Sequence, residues 1–307
     1  MKKTIFVIGF AATFITMASF AFGANAEEIC MKQYKYFQKL YSIQFDSKVC
    51  VTLSKDILLE QPNLSNQLIW EIKFISNGSK YRSEVTSIDP IKRLKKTFIT
   101  TYNGEDYRIL EIGEKSILYL KKSWNTDNPY NGTITILTPF QFAFQKGDIG
   151  TIETLKKTEI WQRLANKAIE VKSFQKLGYK GINITFKVSD FNNAKERIYE
   201  VFFAEDLDYY PIFWRTIDPT TKRCDEISVL EMRIYNIDND RIFIPIRITG
   251  EEKFNNGGIA QTGSEEINPQ TVKINQPVNN GIFTLSVFQA NAVHDSDTGI
   301  WFYPNQR

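Results

Sequence analysis

From Leu68 onward, apolar and polar residues alternate with a period of two, which confines the chain to strands burying one face of a sheet. Leu68, Trp70, Ile72 and Phe74 point one way, while Ile69, Glu71, Lys73 and Ile75 point the other. Asn77-Gly78 supplies a tight turn into Lys80 to Ile88, which makes a hairpin. Lys95 to Tyr102 meets Asn103-Gly104 and returns as Asp106 to Ile112; Ser116 to Ser123 and Gly132 to Leu137 form a third pair. In the second half Ile182, Ile184, Phe186 and Val188 alternate with Asn183, Thr185 and Lys187. Arg197 to Ala204, Ile212 to Ile217, Glu226 to Tyr235 and Arg241 to Phe254 follow. Strands in this order with short turns between them predict an antiparallel meander of about ten or eleven strands.

Two stretches carry helical spacing instead. Glu28 to Tyr41 has a partial apolar face of Ile29, Tyr36, Phe37, Leu40 and Tyr41. Thr151 to Lys167, with Thr151 as N-cap, places Ile152, Leu155, Ile160, Trp161 and Leu164 among lysines and Glu159. This second helix either covers an opening of the sheet or packs across one face as core. Asn255 to Asn268, rich in Gly, Asn and Glu, reads as an exposed loop opening a C-terminal extension. Strand-like pieces follow at Thr271 to Ile274, Gly281 to Val287 and Ile300 to Tyr303. Residues 27–307 are expected to form one domain.

The first 26 residues read as a cleavable secretory leader. Lys2 and Lys3 precede the uncharged run Ile5 to Phe22, and Ala24-Asn25-Ala26 is a small-residue exit, so cleavage is expected after Ala26. Loss of Lys2 and Lys3 reduces the formal net charge from +3 to +1, which gives no footprint for nucleic acid. No lipidation cysteine stands at the exit, so a soluble periplasmic protein is expected. Export permits disulfides, and of Cys30, Cys50 and Cys224 the favoured pair is Cys30 with Cys50, leaving Cys224 over.

Catalytic constellations are scarce. The single histidine, His294, would have to serve any Ser-His-Asp triad. Its neighbours Asp295 and Asp297 fit a turn with local side-chain to backbone bonds better than a metal loop. No phosphate-binding glycine loop, nucleophile elbow or spaced cysteine pair occurs, so no catalytic residue, metal or cofactor is expected. Aromatic residues make up 14% of the chain, enough either to fill a solid core or to line a cavity. A curved sheet with such a surplus can hold an apolar ligand without chemistry, against Trp70, Phe74, Phe98, Tyr102, Phe140, Phe142 and Trp161.

The order of these features resembles a family. The block from Trp70 through Tyr81-Arg82 to Tyr102-Asn103-Gly104, the segment Thr138-Pro139-Phe140-Gln141-Phe142 and the helix around Trp161 are similar to the LolA/LolB-type lipoprotein carriers and their lipoprotein-sorting relatives. The ending Gly281-Ile282-Phe283-Thr284-Leu285, Val293-His294-Asp295 and Thr298-Gly299 is similar to that of larger members. The resemblance implies a mainly β fold: a curved antiparallel sheet forming an unclosed half barrel, with a covering helix and a concave face that accepts acyl chains. It also implies that Arg82 holds a lid closed. The expected function is a monomeric, non-catalytic carrier of a lipid or lipoprotein acyl chain. The alternative is an envelope sensor or scaffold that binds a protein partner through the same domain, using an exposed strand edge or an apolar groove.

Overall fold

The computed structural model describes residues 26–62, 64–88, 95–113, 115–121, 140, 143, 151–189 and 195–304. The expected leader up to residue 25, the expected strand Gly132 to Leu137 and Phe142 lie outside the described residues. Among the described residues, 26–38 are helical and form α1. The chain then forms β1 (Ser42–Leu53), the short α2 (Lys55–Glu60), and the strands β2 (Gln67–Asn77), β3 (Lys80–Ile88), β4 (Lys95–Tyr102), β5 (Tyr107–Ile112) and β6 (Ile117–Lys121). Two helices follow, α3 (Ile152–Leu155) and α4 (Thr158–Ala165). A second meander comprises β7 (Ala168–Lys176), β8 (Tyr179–Ser189), β9 (Glu196–Ala204), β10 (Tyr210–Ile217), β11 (Cys224–Ile237), β12 (Asp240–Lys253) and β13 (Ile259–Ile267). The chain closes with β14 (Lys273–Ile274), β15 (Ala292–Asp295) and β16 (Ile300–Phe302).

All sixteen strands belong to one curved sheet that does not close into a barrel. Its order is β16-β15-β6-β5-β4-β3-β2-β1-β13-β12-β11-β10-β9-β8-β7, with β14 pairing β1 beside that path. The pairs are antiparallel except β6 with β15, which is parallel. β1 is the joint: it pairs β2 on one side and β13 on the other, and so fuses two meandering arms. The Asn-Gly turns are where the sequence places them. Gly78 and Gly104 both have positive φ, 57° and 106°, a backbone setting that glycine adopts without steric penalty.

The register assigns each side chain to a face. Ile43, Phe45, Ser47 and Val49 of β1 share a face with Phe74, Ile72 and Trp70 of β2. Helices α1, α3 and α4 pack on this helix face. Phe37 stands edge-on to Phe140 at 4.7 Å and stacks on Trp161 at 6.0 Å, and Tyr36 donates its hydroxyl to the Phe243 carbonyl at 2.9 Å. The opposite face is crossed over β3 to β6 by residues 276–291, here called the strap. The strap closes a small second core of Ile99, Leu110 and Leu118 against Leu285, Ala290 and Val293.

Several expectations change. The strand number is 16, not ten or eleven, and Asn255 to Asn268 is largely β13, inserted at the centre of the sheet. Its residues facing the helix side are Gln261, Gly263, Glu265 and Ile267, so only one apolar side chain marks the buried row. Gly281 to Val287 forms 3-10 turns over Asn280–Phe283 and Val287–Gln289 instead of a strand. The 151–167 helix is broken after Leu155. Thr151 caps α3 as expected, accepting from the Thr154 amide, and the Trp161 indole donates to the Leu155 carbonyl at 2.7 Å, satisfying a carbonyl freed at the break.

The Cys30–Cys50 bridge is also absent, since all three cysteines are free thiols. Cys30 is buried in the core under α1, whereas Cys50 falls one residue out of phase with Val49 and projects from the other face, where its sulfur accepts from Gln67 Nε2 at 3.1 Å. Period-two geometry separates the two sulfurs. Burial, with Glu27 second, pushes the Cys30 thiol up to about 12, which suits a packing residue and not a nucleophile.

Candidate functional site

Four of the expected ligand-contacting residues are core. Phe74, Phe140 and Trp161 are fully buried, and Tyr102 is buried with its ring stacked on Tyr107 at 4.6 Å. Among the described residues, Phe140 and Trp161 pack with Phe37 and the residues of α3 and α4 in the main core, so in that region the helices pack across the sheet. Interleaved aromatic pairs of this kind each contribute about 0.5–1.5 kcal/mol beyond area burial, which explains why Trp161 and Phe140 are held there.

Arg82 is corrected as well. It lies on the strap face, out of phase with Tyr81, and cannot reach the aromatic side of the sheet. Its guanidinium donates to the Ile282 carbonyl at 3.2 Å and faces Glu84 at 3.6 Å. In the same cross-strand row, two strands away, Arg108 donates to the Leu285 carbonyl at 2.6 Å. Both arginines therefore fasten the strap.

Trp70 and Phe98 behave differently. Both face the helix side, both are half-buried, and neither belongs to the two packed clusters of the described residues. Register places them in a continuous apolar strip. Trp70 is opposite Val49, Leu68 opposite Val51, Ile72 opposite Val85, and Val85 opposite Phe98. Val51, Leu68 and Val85 are half-buried too. The strip thus lies on the same sheet face as the aromatic core but beyond the reach of its helices. Sequence alternation pointed to Trp70 and Phe98, whereas Val51 and Val85 needed the strand pairing to be recognised as their neighbours.

The strip has a polar edge. Glu265 of β13 is opposite Val49 and Ile248 on the same face, and it is completely buried. Burial drives its carboxyl up to about 8; Ser47 lies near enough to oppose the shift, but not in bonding geometry. Further along this face the exposed Asp225 is opposite Glu252, and desolvation by its neighbours followed by that like charge raises Asp225 to about 6, with Arg197 and Arg223 pulling down.

Cavities among the described residues lie elsewhere. One of about 540 Å³ on the strap face is lined by alternating charges, among them Asp46, Lys48, Glu71, Lys73 and Glu266. Another of about 240 Å³ sits beside α1, between Lys35, Tyr36, Tyr209 and Arg241. Ile72 reaches the first of them, but neither is lined by Val51, Leu68, Trp70, Val85 or Phe98. Among the described residues no group of three or more histidine, cysteine, aspartate or glutamate side chains could hold a metal ion. His294 stacks against Trp301 at 4.5 Å, and Asp295 Oδ1 accepts the Asp297 and Thr298 amides, the local turn expected for this sequence. No helix of the described residues is long and apolar enough to cross a membrane.

No family model matches the sequence, and no curated protein matches it either. The fold does have a counterpart. A DUF1329 family protein from Desulfovibrio piger is similar in structure, with a TM-score of 0.50 over 85% of this chain and 96% of that one. At 7% sequence identity the similarity concerns the fold alone.

Proposed function

We propose that the chain is an exported, non-catalytic binding protein that holds the acyl chain of a lipid or lipoprotein along the strip formed by Val51, Leu68, Trp70, Val85 and Phe98. The observation that carries this reading is that five apolar side chains on the helix face of a curved sheet stay half-exposed outside both packed cores. Leaving such a strip to water is unfavourable, and an acyl chain laid on it gains about 0.8 kcal/mol per buried methylene. The resemblance to LolA/LolB-type carriers supports the same ligand class.

The test is binding of a fluorescent fatty-acyl ester, which carries an uncharged head, with extraction of the purified protein and mass spectrometry of what is released. Acyl species and saturable uptake are expected, and Trp70→Ala with Phe98→Ala should weaken uptake about tenfold or more. No acyl species and no uptake would sink the proposal. A second reading, a scaffold for an envelope protein, draws on the sheet edge, where Ile300, Trp301, Phe302 and Tyr303 are all exposed on or beside β16. It predicts a partner captured by gentle crosslinking that is lost on Trp301→Ser, and it fails if the chain isolates alone.

A further inference from the structure

Glu265 is the most anomalous residue of the sheet. It stands in β13, which pairs the joining strand β1, in the row Ile248, Glu265, Val49, Trp70 on the helix face. Its exposure is 0%. Neither carboxyl oxygen has a hydrogen-bond partner among the described residues, and the same is true of Oγ of Ser47, which precedes Val49 by two positions on β1 and shares its face. Buried polar groups are nearly always satisfied, and an unsatisfied one costs about 1–3 kcal/mol, so a group left open in this way marks a place where something polar docks.

The surroundings define what that could be. Opposite Glu265 on this face stand Val49 and Ile248, and beside them Ser47 and Ile267, none of them charged. With its raised pKa the carboxyl is uncharged at neutral pH, and it then offers one O–H donor and a carbonyl acceptor, to which Ser47 adds a hydroxyl. An anionic head placed here would find no cation and would face an ionisable acid, a burden too large for a buried site to absorb.

We infer that Glu265 and Ser47 form the polar end of the apolar strip and bind the uncharged hydroxyl-, ester- or amide-bearing head of an acyl ligand, excluding phosphate-headed ones. This rests on the strip being the acyl site. The head discrimination comes from a residue that cannot be matched by an anion, so specificity is built by repulsion as well as by contact.

The experiment titrates the purified protein with monolauroylglycerol and with dodecyl phosphate at pH 7, read by Trp70 fluorescence and by calorimetry. The unsubstituted protein should prefer monolauroylglycerol by about tenfold or more. Glu265→Gln keeps a donor and an acceptor and should retain that affinity within about threefold, whereas Glu265→Leu should lose about tenfold. A pH arm covers the case in which the leucine variant fails to fold: at pH 9.5 the unsubstituted protein should lose monolauroylglycerol binding as the carboxyl ionises, and Glu265→Gln should keep it. Equal binding of the two heads, or binding indifferent to both substitutions and to pH, overturns the polar anchor alone. Binding of neither amphiphile nor of a fluorescent fatty-acyl ester overturns the acyl site and the anchor with it.

Discussion

At the scale of single residues, Glu265 ties the candidate site to stability. Burial raises its carboxyl from an ordinary 4.5 to about 8. Between those values the folded chain holds a proton that the unfolded chain has released, so this group weakens the fold steadily as pH rises through that window, by about 1.4 kcal/mol per pH unit. Below the window it has no effect, and above it the penalty is constant. Asp225 acts with the same sign, but its window ends at about 6. Thermal denaturation between pH 6.5 and 8.5 therefore isolates Glu265. The melting temperature of the unsubstituted protein should fall by on the order of 5 °C across that range relative to Glu265→Gln, whose side chain does not titrate. Parallel pH profiles would mean that Glu265 is not buried uncharged.

At the scale of elements, strand pairing depends on close approach. Gly181 of β8 is opposite Ala204 of β9, and a Cβ at Gly181 would run into the Phe203 carbonyl oxygen and crowd the Phe202 ring. Gly181→Ala should thus force the two strands apart and destabilise the protein by about 2–3 kcal/mol in urea denaturation, without touching the apolar strip. Trp161→Ala should be costlier, about 3–5 kcal/mol, because it empties the packed space between Phe37 and Phe140. Trp70→Ala should cost much less, since its ring stands outside the core. Where alternation was strong, as in β2, β3, β4 and β8, the sequence displayed both the strand and its buried face. In β13 the buried row runs Gln261, Gly263, Glu265, so the polar residues that shape the candidate site also conceal the strand that carries it. β1 did carry a legible pattern, Ile43, Phe45, Val49, Val51 and Leu53, broken by Ser47. The confinement of Phe74, Tyr102, Phe140 and Trp161 to the core was not legible, because period two assigns a face but does not say how far along a strand the covering helices reach.

At the scale of the whole molecule, the two cores are unequal and should not open together. The first unites both arms and α1, α3 and α4, and β1 is paired over much of its length to β2 and β13. The second contains only Ile99, Leu110, Leu118, Leu285, Ala290 and Val293. Its covering strap is fastened by Arg82, Arg108 and the mutual bonds of Ser116 with Asn291, and it leads into β15, which meets β6 over four residue pairs. Regions with few buried apolar contacts exchange their amides by sub-global opening at a free energy below that of complete unfolding. The strap, β15 and β16 should accordingly form the least stable cooperative unit. In hydrogen-exchange mass spectrometry, peptides covering residues 280–303 should exchange well before those of β1, β12 and β13. Removing both charged fasteners, Arg82→Ala with Arg108→Ala, should speed strap exchange by about tenfold or more, since bonds from charged donors contribute about 1.5–3 kcal/mol each, while β12 stays protected. Equal exchange of the strap and β12 would show that the second core is continuous with the first, and that the arginines on the strap face support the whole sheet instead of a separable cover.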